Sequence, residues 1–413
     1  MRILLLEIRR ILFSRRNFIL LLAGLVLSVV MGIVPITYER ASYLDPDGNI
    51  MVLTGRDAIE YHNSLYEPIE GDVTPEKLEN ALSQYQEAIR EAGGLSLYDE
   101  DFPTEIRVEK INPVDPLFFP LSEVYADPGT GLPTELTDIS LEEIPDFYGR
   151  AVEHIGDLAA REYGSQDVVD KATEMYQQID MPFQLYGDCS ANALDYIVLN
   201  IFLLFLICVA IAAPTFSENY ENGSDHILRC TRYGRRHCAG LRLLALVLIF
   251  TVYYLICMGI EVRILNQAFG TESLKTSVQM VWQVIALVPL NIGELQRVSV
   301  LGGLLSLLSS TCLAVFISAR MKSAMVSMLF SLIVAILPTI LYFAVGLSWL
   351  VFLWPSSGVG MQNSLMYQFQ DTNFLTIGDR GIWVPWVVIT AAAVELVVFA
   401  ALSIRTYCKH QVV

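Results

Sequence analysis

The segment richest in chemistry runs from residue 216 to residue 236. It opens with Phe216, Ser217, Glu218, Asn219, Tyr220 and Glu221, turns at Asn222 and Gly223, and continues through Ser224, Asp225, His226, Ile227 and Leu228. It closes on a basic run containing Arg229, Arg232, Tyr233, Arg235 and Arg236. Glycine permits a sharp turn, Ser224 is placed to cap a short helix, and Ile227 and Leu228 would project apolar side chains from that helix. Acids, an apolar pair and then bases make a lever offered to another protein. The plainer alternative is a charged loop with no partner.

Reaction chemistry is not written elsewhere. There is no Gly-rich phosphate loop ending in Lys-Ser/Thr, no His-Glu-x-x-His and no Gly-x-Ser-x-Gly elbow, so the chain is not expected to be an enzyme or to bind ATP itself. The five histidines lack metal spacing, and His62 and His154 look isolated, so no metal site is expected. Cys208, Cys257 and Cys312 lie in apolar runs, Cys230, Cys238 and Cys408 near basic ones, and only Cys189 borders the acidic block. That pattern is no disulfide framework. The acids and Gly48 around Asp45 have a calcium-loop flavour without its spacing or terminal glutamate, which reads as a turn. Glu395 interrupts an apolar run. A carboxylate there either lines a path or pairs with an arginine, or else reaches water at the head groups. Glu261 and Arg263 read as interfacial.

The elements that must position these residues follow from composition. The 413 residues are 54% hydrophobic and 17% charged, with the apolar residues in long blocks, which excludes an ordinary cytosolic enzyme. The net charge of −17 is uneven: residues 38–190 hold 33 of the 44 acids and 9 of the 27 bases. An acidic, water-soluble block is inserted in a mildly basic membrane body. No basic stripe with interleaved aromatics is present, so nucleic acid is not an expected partner.

About 20 apolar residues cross a bilayer. Uncharged stretches at 17–38, 196–217, 243–260 and 298–319, the first part of 323–370, and 381–404 give six spans, with Pro338 kinking the fifth. Residues 276–293 are short, carry Gln279, Gln283 and Pro289, and read as a re-entrant or interfacial helix on the outer side. With both termini cytoplasmic, 14 of the 18 bases outside the acidic block face inward, as the positive-inside rule expects of a plasma-membrane protein. Residues 1–16 form an amphipathic lead-in. Ile3, Leu4, Ile8, Ile11 and Leu12 share one face, and Arg9, Arg10, Arg15 and Arg16 are set to meet anionic head groups.

The fold class expected is therefore an all-α polytopic membrane protein. Residues 17–38 form the first span, 39–192 an acidic, mainly helical extracellular domain, and 193–413 a body of five further spans holding the loop at 216–240. In the domain, Thr74-Pro75-Glu76 starts a helix that stops at Gly93-Gly94, with Leu78, Leu82, Tyr85, Ile89 and Ala92 on one face. Further helices are expected over 146–163 and 166–179, and loops over the Pro- and Gly-rich residues 112–133.

The Glu-Asn-Gly-Ser turn, its apolar pair and the run Thr231 to Arg236 resemble the loop between the second and third spans of ABC-2-type transporter permeases. The lead-in helix resembles that family's N-terminal connecting helix. Residues 318–323 followed by Ile336-Leu337-Pro338 resemble the junction and proline of its fourth and fifth spans, and the tail Lys409-His410-Gln411-Val412 resembles the ending of Firmicute members. Arg242 stands where many relatives have lysine, and the acidic domain has no counterpart. The resemblance implies a permease subunit of an exporter. Glu218, Glu221, Gly223, Ser224, Ile227, Leu228, Tyr233, Arg235 and Arg236 would then form the coupling helix and its flanks, docked on a separate ATPase subunit that holds ATP and magnesium. A second permease copy or paralogue and membrane lipid would complete the assembly. The cargo would be a peptide, an antimicrobial or a lipid, with the acidic domain favouring a cationic peptide. The competing class is a non-transporting sensor or envelope scaffold whose outer domain binds a ligand.

Overall fold

The computed structural model describes every residue except Met1, Pro128, Cys189, Arg232, Tyr233 and residues 411–413. Six helices are long and apolar enough to cross a membrane, which makes the chain a largely helical, multi-pass membrane protein.

Helix α1 (Arg2–Phe13) leads into α2 (Arg15–Tyr38), whose start is capped by Ser14. An antiparallel hairpin follows, β1 (Arg40–Leu44) with β2 (Ile50–Thr54). Its turn is held by Asp45, whose Oδ1 accepts from the backbone N–H groups of Asp47 and Asn49 at 2.9 and 2.7 Å. This is the turn expected at that motif.

The acidic domain continues with α3 (Arg56–Tyr66), β3 (Gly71–Asp72) and α4 (Pro75–Glu91). Thr74 caps α4 through the N–H of Lys77, proline takes the first helical position, and Leu78, Leu82, Tyr85 and Ile89 are buried. Residues 112–133 are not all loop. Asn112–Leu117 forms a 3₁₀ turn and Phe118–Val124 a helix, α5, because Phe118, Leu121 and Val124 gain burial that outweighs the local turn preference of the prolines. Helices α6 (Phe147–Tyr163) and α7 (Gln166–Tyr176) complete the layer, and β4 (Gln184–Leu185) pairs with β3.

The chain then enters α8 (Ala191–Ala212), makes the short helices α9 (Ser217–Glu221) and α10 (Ser224–Arg229), and returns along α11 (Arg236–Phe269). Helix α12 (Ile292–Ser318) begins with a reciprocal capping box between Asn291 and Glu294. Helix α13 (Ala324–Val345) follows, then the short α14 (Trp349–Phe352) and α15 (Leu365–Gln370), the hairpin of β5 (Phe374–Ile377) and β6 (Arg380–Trp383), and finally α16 (Val384–Lys409).

Residues 276–293 form no spanning or re-entrant helix. They fold as a compact loop bridged between Ser277 and Asn291, and the amide of the buried Gln279 donates to the carbonyls of Ala286 and Val288. The loop is stitched to the acidic domain. Ser277 and Gln184 exchange two hydrogen bonds of 2.9 Å, and the Val284 N–H donates to Glu123 Oε2 at 2.6 Å. The β5–β6 hairpin makes a second seam: Asp167 accepts from the Gly381 N–H at 2.8 Å, and Lys171 donates to the Gly381 carbonyl at 2.9 Å.

The element that does enter the bundle is the polar segment after α14. Pro338 has no N–H to give the Val334 carbonyl one turn back in α13. The indole of Trp354 donates to that carbonyl at 3.0 Å, and Ser356 donates to the neighbouring Ala335 carbonyl at 2.7 Å. Gly358 packs where an added Cβ would collide with Ser306 of α12. Ser356, Ser357, Asn363, Ser364 and Gln368 are all buried. Irregular backbone is tolerated at this depth because protein surrounds it.

Candidate functional site: the basal loop

The α9–α10 loop lies at the end of the bundle opposite the acidic domain, here the basal end. Gly223 supplies the turn with φ of 71°. Ser224 is the first residue of α10 and makes no capping bond of its own; the Asn222 side chain accepts from its N–H at 3.0 Å. The cap is therefore one turn position earlier than expected, because Gly223 rather than Ser224 takes the non-helical conformation.

Both short helices are tied to the long ones. Ser318, at the end of α12, accepts from the N–H groups of Phe216 and Ser217 at 3.0 and 3.1 Å, covering donors at the start of α9. Glu221 accepts from the Ala324 N–H at 2.7 Å and so caps α13. Asp225 is 1% exposed and pairs with Arg229 one turn on, while the Tyr407 hydroxyl donates to its other oxygen at 2.8 Å. Arg229 in turn donates to the carbonyls of Tyr407 and His410 at 2.7 and 2.8 Å, at the C-terminal end of α16, where a positive charge also complements the helix dipole. The rings of Phe216 and Tyr220 stack on Tyr407. Helix α9 is thus bonded to the end of α12 and the start of α13, and α10 to the end of α16.

The lead-in helix joins the same network. Arg242, 2% exposed, donates to Glu7 of α1 at 3.1 Å, and Glu7 also meets Arg10 at 2.9 Å. Asn219, oriented to satisfy its amide, accepts from Arg242. Arg10 and Arg16 line one polar groove with Glu218, Asn219 and Ser224, of about 490 Å³.

Of the residues singled out in the sequence, Glu218, Glu221, Arg235 and Arg236 are exposed, as are Arg9, Arg10, Arg15 and Arg16. Ile227 is 75% exposed, a large apolar side chain with nothing over it, and Leu228 beside it is half-buried. Tyr233 lies outside the described residues. Missed were Glu7, Asp225, Arg229 and Tyr407. The i, i+4 spacing of Asp225 and Arg229 was the available signal, as was the lone acid Glu7 in a basic helix.

Two carboxylates lie among the long helices. Glu261 is not interfacial: it is fully buried, and its Oε2 accepts from Asn200 of α8 at 2.7 Å, which also donates to Ser28 of α2 at 3.1 Å. The pairing of three helices withdraws it from the surface that its position near the end of a span suggested. Glu395 has no ion-pair partner among the described residues and lines a lateral groove of about 630 Å³ with Trp349, Leu353, Trp386 and Thr390.

No family model, curated protein or solved structure matches the chain.

Proposed function

We propose that this chain is the membrane-spanning permease subunit of an ATP-binding cassette exporter, using a separate ATPase subunit to move a peptide, antimicrobial or lipid-like cargo across the plasma membrane. The observation that carries the reading is the basal loop: an exposed Ile227 on a short helix whose base, through Asp225 and Arg229, is clamped to the end of α16. A partner that grips α10 from the cytoplasm would move several spanning helices together, as coupling between two sites demands. In this reading Arg9, Arg10, Arg15 and Arg16 sit at lipid head groups, a second permease copy or paralogue completes the path, and Glu395 faces it.

Mechanically, Ile227 and Leu228 would supply the apolar contact, with Glu218, Arg235 and Arg236 as its polar rim. Glu221 and Gly223 have internal duties, capping α13 and turning the chain, so their substitution would disturb the loop itself. The discriminating experiment is purification in mild detergent, identification of co-purifying proteins and an ATPase assay. The expected result is a stoichiometric ATP-hydrolysing subunit that is lost from Ile227→Asp and Leu228→Asp chains of unchanged helix content. Recovery of the chain alone, without nucleotide turnover in several detergents, would overturn the reading in favour of a sensor or scaffold.

A further inference from the structure

His62 is not isolated. Its Nδ1 lies 3.0 Å from Asp188 Oδ2, and donor atoms of Glu39, His62 and Asp188 all fall within 4.8 Å of one another. The three come from separate places. Glu39 immediately follows α2, His62 is on α3, and Asp188 precedes Ser190, the cap of α8.

The arrangement is held from behind. Ser190 donates to Glu39 Oε1 at 2.7 Å, the Asp188 N–H donates to Asn63 at 2.7 Å, and the Gly187 N–H donates to Glu70 at 2.8 Å. The imidazole stacks on Tyr66 with ring centroids 5.6 Å apart. Such outer contacts orient ligands before an ion arrives. Charge is unbalanced in the same direction. Glu39, Asp188 and the nearby Asp115 all face His62, and no lysine or arginine among the described residues forms an ion pair with Glu39 or Asp188. The side chains of His62 and Asp188 are 18% and 15% exposed, sheltered from bulk water yet open to an ion.

We infer that Glu39, His62 and Asp188 form a binding site for a divalent transition-metal ion, and Zn²⁺, which takes both imidazole and carboxylate ligands, is the ion used to probe it. One nitrogen and two oxygens at about 2.0–2.2 Å from a common centre leave a further position for water, the pattern of an open three-ligand site. Gathering the donors requires Nδ1 to be unprotonated, a charged ring releasing its proton to solvent and a neutral ring holding its proton on Nε2, so that the bond to Asp188 is exchanged for one to the metal. The ion would pin the exit of α2, the helix α3 and the entry of α8 to one point, at the joint between the acidic domain and the membrane body. This site is independent of the transport reading.

The test is Zn²⁺ titration of the purified full chain in detergent against a competing chelating dye, repeated with Co²⁺ to read visible absorption from the bound ion. One site is expected that weakens at least about tenfold in His62→Gln, Asp188→Asn and Glu39→Gln, with loss of the Co²⁺ bands. Should His62→Gln fail to fold, Glu39→Gln decides, since it leaves the bond between His62 and Asp188 in place. Wild-type uptake no tighter than that of the Glu39→Gln chain, or Co²⁺ bands unchanged by the substitutions, would overturn the assignment and leave the cluster as a hydrogen-bonded joint only.

Discussion

Glu123 is a carboxylate with one task and an uncomfortable place to do it. It is buried under the domain, where its Oε2 holds the Val284 N–H, and burial pushes its carboxyl up to about 7. A folded-state value raised above the unfolded one means that the folded chain binds the extra proton between the two. This contribution to stability is therefore fully present below about 4.5 and lost as pH rises through about 7, in total about 3 kcal/mol. Thermal unfolding across that range should show the decline, and Glu123→Gln, which keeps an oxygen for Val284, should flatten it. At the other end of the molecule Arg229 illustrates the opposite case. Its charge is matched by Asp225 and two carbonyls, so a nearly buried guanidinium is fully employed. The i, i+4 pair was readable in the order of residues, whereas Tyr407, 182 positions from Asp225, was not.

Among the elements, α13 and the segment after α14 depend on each other. Proline in a spanning helix removes one donor, and the bilayer offers none in exchange. Trp354 supplies it. Trp354→Phe leaves the Val334 carbonyl without a partner and should destabilise by about 1–3 kcal/mol. In a Pro338→Ala background, where the backbone N–H at 338 is restored, the same substitution should cost much less. Unfolding of the two single variants and the double variant measures the coupling directly. The proline inside the span was legible. That a tryptophan from a later polar stretch would answer it was not, because that stretch carries no periodic pattern to mark it as buried. The same limit explains residues 276–293, whose apolar content suggested a helix. Gln279 instead satisfies two carbonyls of a folded loop, a use of a side chain that apolar counting does not register.

At the scale of the whole molecule, the acidic domain and the basal loop occupy opposite ends of a six-helix body. If the charge asymmetry orients the chain with basic segments in the cytoplasm, Cys230, which is exposed on the basal side, should react with a membrane-impermeant maleimide only after cells are permeabilised. Tyr98→Cys, at a position 87% exposed on the domain, should react in intact cells. Both measurements use chains whose other cysteines are replaced. The reverse labelling pattern would invert the topology and remove the basal loop from any cytoplasmic partner.

The order of residues alone determined what depends on local composition: the number of apolar helices, set by the thickness a helix must cross, the start of α4 at Thr74 and Pro75, and the turn at Gly223. Each of these needs only neighbours within a turn or two of chain. The tertiary structure decided which polar groups meet. Glu7 with Arg242, Asn200 with Glu261, Trp354 with the carbonyl of Val334, and Glu39 with His62 and Asp188 are separated by between 20 and 235 positions. A buried polar atom must find a partner somewhere, but which partner depends on how the helices pack and which way each side chain leaves them.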